Sequence, residues 1–193
     1  MSPRPEAARF FGESKFLKFI ADGMLGKLTR WLRMLGQDVE YSNNMEDSQL
    51  LTIAKEDDKI LLTRDFELYQ RAISRGITAF YFEGQTGEEK LAELAQRFNI
   101  PLKIDMASSR CPKCNSVIKP ISMDEVAQKI EKNTLNHYKE FWQCPKCGQV
   151  YWQGAHWDKI RNTLRKANDI IEKSKKERVI YWCSSKSHFN GMS

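Results

Sequence analysis

The chain has 193 residues, of which 41% are hydrophobic and 11% aromatic, enough apolar material for the core of one domain or of two small ones. No run of about 18 apolar residues is present, which argues against a membrane-spanning helix, and Pro3, Pro5, Glu6 and Glu13 deny the N-terminus the apolar stretch of a secretory signal, so a cytoplasmic protein is expected. A net charge of +6 is compatible with an anionic partner but selects none.

Residues 1–15 are charged and proline-bearing and read as a loose arm. Phe16 to Ala21 predicts a first strand that ends on Asp22. Gly23 then turns the chain into a helix from about Met24 to Leu35, in which Leu25, Leu28, Trp31, Leu32 and Leu35 recur at helical spacing and which Gly36 stops. Val39 to Tyr41 is a short second strand. Asn44 reads as the cap of the next helix, with Asp47 favourable in its first turn and Leu50, Leu51, Ile53 and Ala54 inward, ending near Asp57. Ile60 to Thr63 is an almost wholly apolar strand of the kind buried on both faces of a parallel sheet, and it delivers Arg64 and Asp65 at its carboxyl end. Phe66 to Arg75 predicts a helix, Thr78 to Phe82 a strand, and Thr86 with Glu89 a capping box for a helix to about Phe98. Such alternation predicts right-handed βαβ units and an α/β fold over residues 16–107, with a mainly parallel sheet and helices on both faces.

Composition changes after Ala107. Cys111-Pro112-Lys113-Cys114 and Cys144-Pro145-Lys146-Cys147 bracket a small module, residues 108–156, with a helix expected from Ser122, boxed by Glu125. A Cys-x-x-Cys turn presents two sulfurs to one ion, and two such turns complete a tetrahedral zinc site. A redox pair would account for one motif but not for a matched second. Four protein sulfurs leave no position for an activated water, so the zinc is expected to hold structure; Gly148 suits the positive φ of such a turn, and His137 and His156 are not needed as ligands. Trp157, Ile160, Leu164, Ala167 and Ile171 predict a basic amphipathic helix over 157–175, with Lys159, Arg161, Arg165 and Lys166 outward. Residues 176–193 read as a Lys- and Ser-rich tail, whose Val179 to Cys183 run fits no element and whose Cys183 has no assigned role.

Asp22 and Asp65 end two different strands, and parallel strands bring their carboxyl ends to one sheet edge. Asp47, with Glu46 beside it, offers a third acid. Taken singly, Asp47 would serve a helix dipole and Asp65 a helix cap, but Asp22, directly after a buried strand, needs a partner or an ion. Together they compose a hard-oxygen site suited to Mg²⁺ or Mn²⁺, ions that bind phosphate oxygens. Lys27 and Arg30 share a helix face near Asp22, and Arg64 joins them from the other strand end. They read either as a solvated face or as phosphate contacts that position an RNA or DNA strand without reading its sequence.

Asp22-Gly23-Met24-Leu25-Gly26-Lys27-Leu28, Trp31-Leu32-Arg33-Met34-Leu35-Gly36, Leu61-Leu62-Thr63-Arg64-Asp65, the two cysteine knuckles and Val150-Tyr151-Trp152-Gln153-Gly154-Ala155-His156-Trp157 follow one another in an order that resembles the Mut7-C family, over about Phe16 to Leu164. The resemblance implies a PIN-like α/β/α sandwich carrying a four-cysteine zinc ribbon, and metal-dependent hydrolysis of RNA phosphodiester bonds. It places Asp22, Asp47 and Asp65 at the catalytic metal centre; PIN domains often use a further acid just past the Thr-Arg-Asp strand, where Glu67 stands. Lys27, Arg30 and Arg64 would hold the RNA backbone, and Tyr151, Trp152 and Trp157 could stack bases as well as pack a core. A reading from another class keeps the ribbon and basic surface as a non-catalytic RNA- or ribosome-binding module.

Overall fold

The computed structural model describes residues 17–186, so the N-terminal arm and residues 187–193 of the tail lie outside the described residues. The first part of the chain alternates β1 (Lys18–Ala21), α1 (Gly26–Met34), β2 (Asp38–Tyr41), α2 (Asp47–Glu56), β3 (Ile60–Thr63), α3 (Phe66–Ser74), β4 (Ala79–Tyr81) and α4 (Gly87–Phe98). Its strands form one parallel sheet in the order β2-β1-β3-β4, with Phe19 paired to Val39 on one side and to Ile60 on the other.

Side chains alternate along a strand, so β1 sends Phe19 and Ala21 to one face of the sheet and Ile20 to the other, while β3 sends Ile60 and Leu62 one way and Leu61 the other. Leu28 and Leu32 of α1 and Leu91 and Leu94 of α4 cover the first face. Leu50, Leu51 and Ala54 of α2 and Leu68 and Ala72 of α3 cover the second. The expected α/β/α layering with a mainly parallel sheet is therefore present. The chain leaves β1 for β2 on one side and then crosses to β3 on the other. The crevice between the carboxyl ends of β1 and β3 is thus the topological switch point, where open sheets accept ligands.

After α4 the chain builds an antiparallel sheet from β5 (Lys119–Ile121), β6 (Phe141–Gln143) and β7 (Val150–Tyr151), with α5 (Met123–Val126) and α6 (Lys132–His137) in the β5–β6 connection. The expected Ser122–Glu125 box caps α5. This module has its own small cores, one around Cys111, Ile118 and Cys144 and one around Val126, Phe141 and Val150.

Three local features differ from the sequence expectations. A 3₁₀ turn over Gly23–Leu25 precedes α1, and Gly26 opens the helix because the Tyr41 phenol occupies its side-chain space: a Cβ there would lie 2.5 Å from Oη. Glu46, not Asn44, is the N-cap residue of α2, with extended backbone, and its N–H donates to the Gln49 side chain at 3.0 Å in the manner of a capping box. The last helix, α7 (Trp157–Lys186), continues past residue 175 and takes in the Val179 to Cys183 run. No Gly or Pro interrupts residues 157–186, so nothing in the sequence stops the helix at residue 175. Leu164 and Ala167 of α7 join the core beneath α1 and α4, which makes the C-terminal helix part of the first sheet's layer. No helix among the described residues is long and apolar enough to cross a membrane.

A single buried side chain of α1, Arg33, ties the two parts together. Its Nε and Nη2 donate to the Val39 carbonyl at 3.0 and 2.8 Å, and its Nη1 donates to the carbonyls of Pro112 and Lys113 at 3.0 and 3.2 Å. Burial lowers the guanidinium pKa, while the nearby Cys111, Cys114 and Asp38 favour the charge. Around this clasp, Asn115 accepts from the Val39 N–H and donates to Asp38, Arg110 pairs with Asp38, and the Ser109 hydroxyl donates to the Met34 carbonyl. Replacing Arg33 by Met would leave buried carbonyls unpaired, at a cost of about 3 kcal/mol. Urea titration should show a clearly lower midpoint for Arg33→Met, with Arg33→Lys in between because an ammonium cannot fork to both sides; an unchanged midpoint for Arg33→Met would contradict this role.

Candidate active site

Asp22 sits directly after β1 and is only 5% exposed. The strand end holds it there: its own N–H donates to the Leu62 carbonyl across the sheet. Oδ1 accepts from the Met24 N–H at 2.7 Å, so the carboxylate also caps the 3₁₀ turn. Oδ2 accepts from the Thr63 hydroxyl and from the Arg64 N–H. Among the described residues no Lys or Arg pairs with Asp22, so a buried carboxylate is balanced by hydrogen-bond dipoles alone.

Asp65 follows β3 and caps α3. Its Oδ1 accepts from Glu67 and Leu68 N–H groups at 2.8 and 3.1 Å, and its other carboxylate oxygen has no hydrogen bond among the described residues. Thr63 joins the two acids: its hydroxyl donates to Asp22 and accepts the Asp65 N–H at 2.9 Å. Asp22 and Asp65 therefore flank the switch point through one shared, fully buried hydroxyl. The sequence reading missed Thr63, whose signal was a hydroxyl residue closing an otherwise apolar strand directly before Arg-Asp.

Asp47 is held differently. It opens α2 and pairs with Arg71 of α3, both side chains being nearly half exposed. Glu46 is engaged in capping α2, and Glu67 is exposed on α3. Lys27 and Arg30 are exposed on α1, as the shared-face reading expects. Arg64 donates to the Gln85 side chain at 2.8 Å, and Lys90 donates to the Gln85 carbonyl at 2.6 Å. Burial and the neighbouring Arg64 lower the Lys90 pKa, which marks a paired cationic edge that the sequence reading missed. Lys90 lies one turn into α4 and carried no pattern to distinguish it from a solvated helix lysine.

The four cysteines are drawn together most tightly. Cys111, Cys114, Cys144 and Cys147 place their sulfurs within 4.8 Å of one another, the one such group of metal-ligating atoms among the described residues. The contacts Cys111–Cys147 at 3.6 Å and Cys114–Cys144 at 3.3 Å are close to the separation of about 3.8 Å in a tetrahedron with Zn–S bonds of about 2.3 Å. The knuckles are built alike: Asn115 and Gly148 follow the second cysteine of each with φ of 69° and 73°, and their N–H groups return to the Cys111 and Cys144 carbonyls at 2.9 Å. Asn tolerates that left-handed conformation better than most residues, which is why the first knuckle closes without a glycine.

Burial raises the Cys111 thiol, but hydrogen bonds from Tyr151, Cys114 and Lys113 outweigh it and bring its pKa to about 6. Burial pushes Cys114 up to about 12. Sulfurs this close resist ionising together unless a cation lies between them. Tyr151 contacts Cys111 Sγ through its hydroxyl at 3.1 Å, Trp152 packs on Phe141, and so both have structural uses in the ribbon. His137 and His156 stand outside the sulfur cluster.

The chain matches the family model described as Mut7-C RNAse domain over residues 17–164, and it belongs to that family. No curated protein and no solved structure gives a significant match. The cysteine cluster fits the zinc of a zinc ribbon. Metal analysis of the purified chain should return one zinc, and Cys144→Ser should lose it; hydrogen exchange would then speed up in 109–154 and at Val39, whose N–H donates to Asn115 of the first knuckle.

Proposed function

We propose, from membership of the Mut7-C RNAse domain family, that this chain hydrolyses RNA phosphodiester bonds at the sheet edge formed by the ends of β1 and β3. The observation that carries this reading is the Asp22 carboxylate, in a residue 5% exposed and without a paired cation among the described residues, beside an Asp65 that keeps one oxygen open. A buried anion of this kind is stabilised when a divalent ion joins it.

Asp22 and Asp65 would hold Mg²⁺ or Mn²⁺, with Asp47 as a further ligand once it parts from Arg71. That exposed pair is worth at most about 1 kcal/mol, so its release costs little. When bound, such an ion lowers the pKa of a coordinated water and neutralises charge on the phosphate. The protein side of the work falls to fixed groups. Thr63 fixes the Asp22 carboxylate and the Asp65 backbone relative to one another. Arg64 and Lys90, both tied to Gln85, lie on the side of β4, and Lys27 and Arg30 lie on α1; these cations would hold the RNA backbone on either flank. The ribbon is locked to α1 through Arg33 and would extend the RNA-binding surface.

RNA incubated with the protein should be cut in Mn²⁺ or Mg²⁺ and left intact in EDTA. Asp22→Asn and Asp65→Asn should each reduce the rate by at least about a hundredfold, and Thr63→Val, which removes only the shared hydroxyl, by about 10–100-fold through weaker metal affinity. Gel-resolved cleavage with metal titration reads all of these. RNA binding without cleavage under every metal condition would favour the non-catalytic ribbon module instead.

A further inference from the structure

Directly after Asp65, at the first position of α3, stands Phe66, which is 53% exposed. It is not loose. Phe66 meets Tyr81 edge-on, with centroids 5.6 Å apart and planes at 78°, and stacks obliquely on Tyr69 at 6.3 Å and 29°; Tyr69 and Tyr81 touch in turn at 5.9 Å. The three rings thus brace one another in a closed triangle, and none belongs to either of the two cores that flank the sheet. Their packing holds Phe66 in place at the carboxyl edge without covering it.

We propose that Phe66, braced by Tyr69 and Tyr81, is the stacking platform for an RNA base next to the scissile phosphate. The proposal rests on the nuclease reading of the same edge. An exposed ring costs solvation free energy unless something covers it, and a planar π-face accepts any base. Its chain neighbours select the occupant: Asp65 precedes it, and Arg64 supplies positive charge for the phosphates of a strand whose base lies on the ring. Met24, 72% exposed two residues beyond Asp22, repeats the arrangement of an exposed apolar side chain just past an acid, on the other strand end. Phe66 acts as a positioning residue: it orients the strand and touches no reacting atom.

The test pairs cleavage with binding. With single-stranded RNA, Phe66→Ala should raise KM about tenfold and leave kcat within about twofold, Phe66→Trp should restore wild-type behaviour, and Phe66→Leu should not, because it keeps apolar bulk without a π-face. An RNA carrying an abasic nucleotide at the position next to the cut should be handled equally by wild type and Phe66→Ala. In EDTA, where no cutting is expected, RNA carrying a fluorescent aminopurine at that position should be quenched by wild type and not by Phe66→Ala. Rescue by Phe66→Leu, unchanged KM in Phe66→Ala, or a dimer that dissociates only in Phe66→Ala would each overturn the platform. Absent cleavage with Phe66-dependent quenching, the probe then placed at successive positions of the RNA, would instead refute the nuclease reading and reduce the platform to a base-stacking site of an RNA-binding protein.

Discussion

The guanidinium of Arg33 is the buried interaction at the centre of the contact between the parallel sheet and the first cysteine knuckle. A buried cation is expensive unless each N–H finds an acceptor, and here the acceptors come from two places that are remote in sequence: Val39 in the edge strand β2, and Pro112 and Lys113 in the first zinc knuckle. The knuckle turns its carbonyls outward because the sulfurs converge inward, so the fold of the metal site itself creates the surface that Arg33 reads. Without the Pro112 and Lys113 carbonyls the Arg33 Nη1 would lose its acceptors, while Nε and Nη2 keep Val39. The first knuckle and the parallel sheet are thereby linked through Arg33, with Asn115, Arg110 and Ser109 around it.

The same helix begins at the candidate active site. Asp22 caps the 3₁₀ turn that leads into α1, and Arg33 lies near the helix C-terminus, so a nine-residue rod connects the acidic edge to the ribbon. At the acidic end the governing group is again one that shares itself between two partners. The Thr63 hydroxyl has a single proton, given to Asp22, and its lone pairs face the Asp65 N–H. The Asp22 carboxylate and the Asp65 backbone, which follow separate strands, are set in fixed relation by a group that carries no charge.

The sequence showed much of this and was silent on the rest for identifiable reasons. Apolar runs and helical spacing located the alternating elements, and the repeated Cys-Pro-Lys-Cys turns announced the sulfur cluster. The parallel order explains why Asp22 and Asp65 flank one crevice. Arg33 was illegible because its partners are backbone carbonyls, which every residue possesses and no sequence pattern marks. The capping role fell to Glu46 because it depended on the backbone angle of one residue, and the candidate acceptors Asn44, Glu46 and Asp47 look alike in the sequence. Helix α7 outran its expected end because no Gly or Pro stops it, and the Val179 to Cys183 run, which fitted no element by pattern, continues its backbone.

Aromatic residues illustrate the difference between composition and position most directly. Tyr151 and Trp152 lie in a basic module built around the four-cysteine cluster and on composition alone suit base stacking, yet the first is spent on the Cys111 sulfur and the second on Phe141. Phe66 carries no such signal: in the sequence it is an apolar residue opening an amphipathic helix, a place where core packing is the ordinary expectation. Only the turn of α3 decides its fate. Asp65 caps the helix through the Glu67 and Leu68 N–H groups, which fixes the rotation that buries Leu68 and Ala72 against the sheet and leaves Phe66 outside. The open carboxylate oxygen of Asp65 and the exposed ring of Phe66 are therefore set by one capping interaction, and a change that rotated α3 would misplace both together.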